Sequence, residues 1–270
     1  MEPGFAASEI DTSRPHPARM YNAYLGGNDN YPADREAVRQ VLREFPEVRG
    51  IALANRAFLR RAVRFLAAEA GIRQFIDIGT GIPSAGNVHE VAGRDARVVY
   101  VDNDPIVNVH ANALLTGSGS TGIVLADLRD PAAVLADPVV RGLIDFSRPV
   151  ALLLVAILHF ITDEEDPAGL VAILLDALPG GSYLALSHAT WDFHPPGEEG
   201  TGTATYQKAT APLVFRPHPQ VLSLFDGLDL LEPGLVQAPL WRPDGRRPRA
   251  GELERIGIYA GVRCKAPAGA

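Results

Sequence analysis

Residues 75–81 of the chain read Phe75-Ile76-Asp77-Ile78-Gly79-Thr80-Gly81. A short apolar run that ends in two spaced glycines is typical of a buried β-strand followed by a tight turn, where the backbone can approach a ligand closely. A second apolar run follows at residues 98–101 and ends at Asp102. A carboxylate at the end of the next strand can accept hydrogen bonds from the two hydroxyls of a ribose. The two segments together predict a site for a nucleoside-type cofactor.

The length and composition indicate a chain that folds around a sizeable core. It has 270 residues, 47% of them hydrophobic, which is enough for one large or two small domains. The net charge is −7 and no long basic run occurs, which argues against a dedicated nucleic-acid binder. We therefore expect no nucleic-acid partner.

Targeting and redox features favour a cytoplasmic protein. Residues 1–17 are polar and proline-rich, without the apolar segment of a signal peptide. The longest apolar run, residues 150–158, is about half the length that crosses a bilayer. Cys264 is the only cysteine, so no intrachain disulfide can form, which fits a reducing compartment. The predictions are a cytoplasmic location and no membrane contact.

Strand and helix patterns alternate through most of the chain, which predicts an α/β fold. Strands joined by crossover helices form a parallel sheet that is covered on both faces. The predicted domains are a flexible tail over residues 1–17, a helical cap over 18–71 and a cofactor-binding core over 72–263. The predicted helices span residues 32–44, 50–70, 84–92, 105–115 and 162–178, and the predicted strands span 74–78, 97–102, 122–126, 150–155, 183–188, 228–232 and 256–262, the last two antiparallel.

The residues around the glycine turn indicate which nucleoside cofactor is bound. Dinucleotide-binding turns favour a third glycine three residues after the second, but Pro83 and Ser84 stand in that part of this turn. Asp77 lies two residues before the first glycine, where its carboxylate would repel a pyrophosphate. The same carboxylate suits an ammonium group, such as that of the methionine part of S-adenosylmethionine. The pattern favours this methyl donor, and a nicotinamide cofactor stays open as the alternative.

Two later strand ends add candidate site residues. Asp127 follows the third predicted strand between Ala126 and Leu128, where an acid can accept a hydrogen bond from the amino group of adenine. His159 follows the fourth strand, on the sheet edge that carries the glycine turn. Its ordinary pKa near 6.5 leaves the imidazole mostly neutral at pH 7. We therefore take His159 as the candidate base for an oxygen or nitrogen acceptor, with a purely structural histidine as the alternative.

The order of these segments resembles the class I S-adenosylmethionine-dependent methyltransferases. A narrower resemblance is to the actinobacterial S-adenosyl methyltransferase family once known only as a domain of unknown function. It is carried by Ala18-Arg19-Met20-Tyr21-Asn22-Ala23-Tyr24-Leu25-Gly26-Gly27-Asn28-Asp29-Asn30-Tyr31, with Asp34-Arg35 soon after, and by Leu240-Trp241-Arg242-Pro243-Asp244-Gly245. This resemblance runs from Arg14 to Val262. It implies a Rossmann-like, seven-stranded, mostly parallel sheet with an antiparallel last strand, an N-terminal helical cap and S-adenosylmethionine as cofactor. Pro83, where a third glycine is common, is a departure from the broader pattern.

The sequence therefore predicts an S-adenosylmethionine-dependent methyltransferase that acts on a small molecule. The alternatives are a nicotinamide-dependent oxidoreductase and a non-catalytic S-adenosylmethionine-binding regulator. No metal-ligand spacing occurs, so no metal site is expected. The glycine pair at residues 26–27, with the polar side chains that follow it, predicts a lid over the cofactor. The predicted cofactor-binding residues are Tyr21, Gly26, Gly27, Asn30, Asp77, Gly79, Thr80, Gly81, Asp102, Asn103, Ala126, Asp127 and Leu128.

Overall fold

The structure is a computed structural model, and it describes residues 11–84, 86–115, 119–198, 203–206, 209–227 and 229–266. A central sheet of eight strands runs through this part of the chain. The strands are β1 (Gln74–Ile78), β2 (Arg97–Asp102), β3 (Thr121–Leu125), β4 (Ala151–Val155), β5 (Tyr183–Ala189), β6 (Asp229–Leu230), β7 (Val236–Gln237) and β8 (Ile258–Cys264).

The sheet is mixed, with a parallel body and an antiparallel edge. Its order is β3-β2-β1-β4-β5-β8-β6, and β7 also pairs with β8. Strands β1 to β5 are parallel, whereas β8 runs antiparallel to β5. The predicted mostly parallel sheet with an antiparallel last strand is confirmed. The structure has eight strands where seven were predicted, because residues 229–237 contribute two strands of two residues each.

The strand order reverses beside β1, and this reversal places the site. The chain goes from β1 to β2 and β3 on one side, and then crosses to β4 and β5 on the other. Connections on the two sides leave β1 and β4 toward opposite faces of the sheet, which opens a crevice at the carboxyl ends of these strands. The glycine turn after β1 and the acid at the end of β2 both lie on that edge.

Helices cover both faces of the sheet. They are α1 (Pro17–Tyr24), α2 (Pro32–Glu44), α3 (Val48–Ala68), α4 (Val88–Ala92), α5 (Pro105–Leu115), α6 (Pro131–Ala136), α7 (Pro138–Leu143), α8 (Pro167–Asp176), α9 (Thr203–Tyr206), α10 (His218–Ser223) and α11 (Ala250–Leu253). Alternate residues of each parallel strand point to opposite faces. Ile76 of β1 therefore belongs to the core cluster with α6–α8, whereas Phe75 belongs to the cluster with α3.

Two predicted helices begin later than the sequence pattern indicates. The helix predicted over 84–92 starts at Val88, because Asn87 and Glu90 form a capping box there. Residue 85 lies outside the described residues. In the helix predicted over 162–178, Thr162 and Glu165 form a capping box, but it opens a short 3₁₀ turn, Asp163–Glu165. Helix α8 begins only at Pro167, because a residue before proline disfavours the helical conformation, and Asp166 adopts φ 51° and caps α8.

The N-terminal part of the chain forms a cap beside the sheet. Met20, Tyr24, Val41 and Phe45 of α1, α2 and the following turn form a buried cluster with Tyr206. Residues 11–17, assigned from the sequence to a flexible tail, connect to the cap and to the C-terminal half by hydrogen bonds, such as His16 N to Asp34 Oδ1 at 2.9 Å. Residues 1–10 of that predicted tail lie outside the described residues.

Candidate functional site

The glycine turn after β1 is folded against the end of β2. Gly79 and Gly81 adopt φ +75° and +67°, a region that side chains other than glycine rarely occupy. A Cβ on Gly79 would lie 2.6 Å from the Ile157 side chain, whereas one on Gly81 would meet no atom within 4 Å. The Gly81 N–H donates to Asp102 Oδ2 at 2.8 Å. The turn therefore leaves open space beside Gly81 and presents its backbone there.

Asp102 is held rigidly at the end of β2. Its Oδ1 accepts the Asp104 N–H at 2.9 Å, in addition to the Gly81 bond at Oδ2. An ionised carboxylate has about four acceptor positions, so each oxygen keeps capacity for a ligand hydroxyl. Burial raises the pKa of Asp102 to about 6, against the hydrogen bonds from the backbone of Asp104 and Gly81, which lower it. This geometry suits a carboxylate that binds the two hydroxyls of a ribose.

Asp77 and Arg56 carry opposite charges and line the cavity beside the glycine turn. Burial raises the pKa of Asp77 to about 7, and the Arg56 charge and a hydrogen bond from Thr80 oppose that rise. Arg56 Nη2 donates to Asn87 Oδ1 at 3.1 Å, and its buried Nε has no hydrogen-bond partner among the described residues. A carboxylate next to a guanidinium with a free donor matches the ammonium and carboxylate of an amino acid. Sequence reasoning missed Arg56, because it lies on α3, far from the strand motifs.

The loop after β3 carries the third acid. Asn103 Nδ2 donates to Asp127 Oδ2 at 2.8 Å, and Arg129 N donates to Asp127 Oδ1 at 2.9 Å. Burial acts to raise the pKa of Asp127, but the hydrogen bonds from Arg129 and Asn103 outweigh it and hold this pKa below its ordinary value. Arg129 in turn contacts Glu165. The side chain of Asp127 is therefore ionised and oriented next to Asn103.

One cavity of about 630 Å³ connects these residues to the underside of the cap. A volume of this size is typical of small-molecule sites, which range over about 300–1,000 Å³. Most of the predicted site residues line it, namely Tyr21, Asp77, Gly79, Thr80, Gly81, Asp102, Asn103, Ala126, Asp127, Leu128 and His159. The cavity continues from them to an apolar region under α1, α2 and α3.

Comparisons with known proteins assign this fold and site to a family. The family model of the S-adenosyl methyltransferases matches residues 3–266. The chain belongs to this family. It is an S-adenosylmethionine-dependent methyltransferase, as the resemblance in its sequence predicts, and S-adenosylmethionine is its cofactor.

Two solved structures with similar chains have the same fold. A DUF574 family protein from Streptomyces avermitilis is 46% identical, with a TM-score of 0.90 over 95% of this chain and 99% of that one. A protein from Thermobifida fusca that is proposed to be a methyltransferase is 39% identical, with a TM-score of 0.88 over 96% of this chain and 97% of that one. A comparison with curated proteins finds no significant match.

Three predicted cofactor residues of the methyltransferase do not line the cavity: Gly26, Gly27 and Asn30. Asn30 Nδ2 instead donates to Asn22 Oδ1 at 3.0 Å and to Gly27 O at 2.9 Å. A Cβ on Gly27 would lie 2.3 Å from Asn22 Nδ2, so a glycine is needed where the loop passes this side chain. The polar residues of the predicted lid thus satisfy one another in a turn that supports α1, and a direct contact with the cofactor stays a prediction.

Tyr21 connects the cap to the sheet through a chain of hydrogen bonds. Its hydroxyl donates to Ala52 O at 3.0 Å and accepts from Asn55 Nδ2 at 3.0 Å. Asn55 Oδ1 accepts from Ser187 Oγ at 2.6 Å, and this Oγ accepts the Ala156 N–H at 2.9 Å. These hydrogen bonds fix one wall of the cavity, because they join α1, α3, β5 and the residue that follows β4.

A buried cluster of charges attaches the cap to the loop after β2. Arg19 Nε lies 3.3 Å from Asp104 Oδ2 and 3.7 Å from Asp34 Oδ1. His16 Nδ1 lies 3.2 Å from the same Asp104 oxygen. Asp34 also accepts hydrogen bonds from the backbone N–H groups of His16 and Tyr31. Asp104 Oδ1 also accepts the Ile106 N–H at 3.0 Å, at the start of α5.

His159 lies on the cavity wall as a neutral hydrogen-bond donor. Its Nδ1 accepts the Ala189 N–H at 3.3 Å, which places the proton of the neutral ring on Nε2. Burial lowers the pKa of His159 well below 6.5, and the neighbouring His188 and Arg216 lower it further. A ring nitrogen that already carries a proton cannot accept one, so this arrangement does not support the predicted role of His159 as a base.

Arg216, which sequence reasoning missed, fixes the loop that carries His159. Its guanidinium donates to Leu158 O at 3.2 Å and Ile161 O at 2.9 Å, and to His188 Nε2 at 2.9 Å. It also binds Asp163 Oδ1 at 2.5 Å. Asp163 does not line the cavity and is engaged in this ion pair.

Metal and membrane features can be stated for the described part of the chain. There, no cluster of three or more His, Cys, Asp or Glu side chains is arranged to hold a metal ion. None of its helices is both long and apolar enough to span a bilayer.

Proposed function

We propose that the methyltransferase binds S-adenosylmethionine along the carboxyl ends of β1, β2 and β3 and transfers its methyl group to a small molecule under the cap. Asp102 accepts hydrogen bonds from the ribose hydroxyls. Asp127, oriented by Asn103, accepts from the adenine amino group. Asp77 and Arg56 face the ammonium and carboxylate of the methionine part, and the open side of Gly81 admits the backbone of the ligand.

One observation supports this proposal most strongly: a single cavity connects the acidic strand ends to an apolar region under the cap. Methyl transfer needs two molecules in contact and in line, with water excluded. A cavity with a charged half and an apolar half provides separate places for donor and acceptor. The charged half also fits the cofactor chemically, because Arg56 Nε is buried without a partner and Gly81 leaves space at its Cβ position.

The chain's own residues contribute mainly binding and orientation. The bound cofactor supplies an activated methyl group on a positively charged sulfur. Asp77, buried beside the turn, favours a positive ligand group in its ionised form. Tyr21 and the hydrogen bonds behind it hold the cap over the cavity, which excludes water from the reacting groups.

Calorimetric titration of the full chain tests this proposal. S-adenosylmethionine and S-adenosylhomocysteine should bind at one site per chain, and NAD⁺ should bind far more weakly. Tighter binding of NAD⁺ than of either adenosyl compound would overturn the proposal in favour of an oxidoreductase. Tight binding of S-adenosylmethionine without methyl transfer to any of a broad panel of acceptors would favour a regulator.

We also infer a cytoplasmic location, because S-adenosylmethionine is an intracellular metabolite and Cys264 has no second cysteine with which to pair. The expectation of no nucleic-acid partner continues to rest on the net charge of −7.

A further inference from the structure

The apolar half of the cavity has the character of a site for an uncharged aromatic molecule. We define the acceptor pocket by the residues that line this half of the cavity: Tyr24, Val41, Phe45, Val48, Ile51, His159, Phe160, Ile161, Tyr206, Thr210, Ala211, Leu213 and Phe215. No Asp, Glu, Lys or Arg occurs among these described lining residues. Charged side chains of the lining lie instead on the N-terminal arm, on Arg56 and at the ends of β1–β3. A carboxylate, phosphate or ammonium on the acceptor would therefore lose its hydration without gaining an oppositely charged partner.

The polar groups of the acceptor pocket include the hydrogen-bonded pair Tyr24 and Tyr206, which keeps one hydroxyl proton for a ligand. The hydroxyls of Tyr24 and Tyr206 lie 3.0 Å apart and are buried. Burial raises the pKa of both tyrosines, that of Tyr206 to about 12, so both are protonated at neutral pH. Their mutual hydrogen bond uses one of the two protons, and neither hydroxyl has another partner among the described residues. The pair can therefore donate one hydrogen bond to a ligand.

His159 provides a second hydrogen-bond donor in the acceptor pocket. Its Nε2 carries the proton of the neutral ring, because Nδ1 accepts the Ala189 N–H, and Nε2 donates to none of the described residues. The Phe160 ring lies 4.5 Å from the His159 ring and 6.2 Å from the Tyr206 ring, measured between centroids. Two hydrogen-bond donors thus border Phe160, and no group in the acceptor pocket has the pKa of a base that works at neutral pH.

We propose that the acceptor is an uncharged aromatic compound with a phenolic hydroxyl, which His159 and the Tyr24–Tyr206 pair bind as the phenolate. This inference rests on the proposed function, and it specifies the substrate class. Donors directed at an oxygen stabilise its anionic form, so the pKa of the bound hydroxyl falls and its proton goes to solvent without a base. A bond then forms between the phenolate oxygen and the methyl carbon while the carbon–sulfur bond breaks, and sulfur keeps the electron pair.

The acidity of the hydroxyl decides between a phenol and an alcohol. A phenol such as that of tyrosine has a pKa of about 10, and stabilisation by about two units places ionisation near pH 8. An aliphatic hydroxyl resembles water, with a pKa of ~15.7, and the same stabilisation leaves it protonated. A neutral amine is also disfavoured, because the two donors would engage the lone pair that it needs for the attack.

Spectroscopic titration with matched probes tests this inference without turnover. The protein, saturated with S-adenosylhomocysteine, is titrated with 2-naphthol, 2-naphthoate and 2-naphthylamine, and naphtholate is detected by its absorption at longer wavelength. We expect 2-naphthol to bind at least 10-fold more tightly than 2-naphthoate. We also expect the naphtholate band to appear at least one pH unit lower than in free solution.

Each other result contradicts the inference. Tighter binding of 2-naphthoate or 2-naphthylamine, or binding of none of the three probes, would overturn the proposed substrate class. Ionisation of bound 2-naphthol at or above its pH in free solution would overturn the role of the donors. Failure of S-adenosylhomocysteine to bind would instead contradict the proposed function, so the two failures are distinguishable.

Variants assign the effect to its residues. In Tyr24→Phe the remaining Tyr206 proton is free to donate, so this variant serves as the matched control and should keep most of the shift in ionisation. The double variant Tyr24→Phe/Tyr206→Phe removes both hydroxyls and should raise the ionisation pH of bound 2-naphthol by about one unit, as should His159→Phe. An unchanged ionisation pH in both would contradict the assignment, and the double variant provides the test if His159→Phe does not fold.

Discussion

At the scale of single residues, Asp102 combines two tasks, because it holds the glycine turn and faces the open cavity. We predict that Asp102→Ala weakens the binding of S-adenosylhomocysteine by about 1.5–3 kcal/mol, the range for hydrogen bonds to a charged group. Calorimetry measures the loss. Wild-type affinity in this variant would refute the assignment of Asp102 to the ribose.

Asp130→Ala is the matched control for Asp102→Ala. Asp130 caps α6 by accepting the Ala133 N–H at 2.9 Å and does not line the cavity. Its removal should cost about 1 kcal/mol of stability, as the loss of a helix cap does, and leave affinity for the cofactor unchanged. A similar loss of affinity in both variants would mean that Asp102 acts only through stability.

The raised pKa of Asp77 predicts that stability and the binding of S-adenosylhomocysteine both depend on pH. Its pKa is about 7 in the folded chain against an ordinary value of 3.8, so folding takes up a proton between these values. The ligand-free protein should therefore lose stability as the pH rises from about 4 to about 7. A positive ligand group favours the ionised carboxylate, so binding of S-adenosylhomocysteine should strengthen over the upper part of this range and release a proton.

Calorimetry at pH 6.5 in buffers of different ionisation enthalpy measures that proton. Asp77→Asn should reduce the release and weaken the dependence of the melting temperature on pH, and the part that remains belongs to Asp102, whose pKa burial raises to about 6. Proton uptake by the wild-type chain, or the same release in Asp77→Asn, would show that another group titrates.

At the scale of elements, the cap is attached by buried charges. Asp34 is fully buried, lies 3.7 Å from Arg19 and accepts two backbone hydrogen bonds. We predict that Asp34→Asn lowers the free energy of unfolding by about 3–5 kcal/mol, because Arg19 is left buried with one partner fewer. Urea denaturation measures this, and the exposed Glu36→Gln on the same helix is the control that should show no change. Equal stability of the two variants would contradict a structural role for the cluster.

Hydrogen exchange distinguishes the two parts of the N-terminal block. Residues 16–21 include lining residues of the cavity, whereas Gly26, Gly27 and Asn30 do not line it. S-adenosylhomocysteine should therefore slow exchange at residues 16–21 and at Gly79–Gly81. Slower exchange at residues 26–30 alone would instead support the lid that the sequence predicts.

The sequence predicts the bounds of helices and strands well where local sequence signals determine them. The helix at Pro32–Glu44 has the predicted bounds, because a proline start and an amphipathic pattern are local signals. The predicted start of α8 was wrong by several residues, because the capping box at Thr162 opens a 3₁₀ turn and the helix begins only at Pro167. Strand β6 lies within the strand predicted over residues 228–232, whereas β7, of two residues, leaves too short a pattern to predict.

At the scale of the whole molecule, the acidic strand ends that line the cavity were predictable from the sequence, whereas most of its apolar lining was not. Asp77 lies one residue before the end of β1, Asp102 ends β2 and Asp127 follows β3, and the parallel sheet brings such positions to one edge. Arg56 and Tyr206 reach the cavity from α3 and α9, and no spacing in the sequence relates them to those strands. The donor role of His159 depends on its contact with Ala189, which only the folded chain shows.

Binding should also stabilise the molecule as a whole. S-adenosylhomocysteine at 100 times its dissociation constant should raise the free energy of unfolding by about 2.7 kcal/mol, if it binds only the folded chain. Thermal denaturation at increasing ligand concentration measures this, with NAD⁺ as the control. An unchanged melting temperature with S-adenosylhomocysteine would contradict specific binding.

A crystal structure of the full chain with S-adenosylhomocysteine tests the central claim most directly. We predict the ribose against Asp102, the adenine beside Asn103 and Asp127, and the amino-acid end between Asp77 and Arg56, with the sulfur facing the acceptor pocket. A ligand bound elsewhere, or one bound in this cavity with its sulfur turned away from His159 and Phe160, would contradict it.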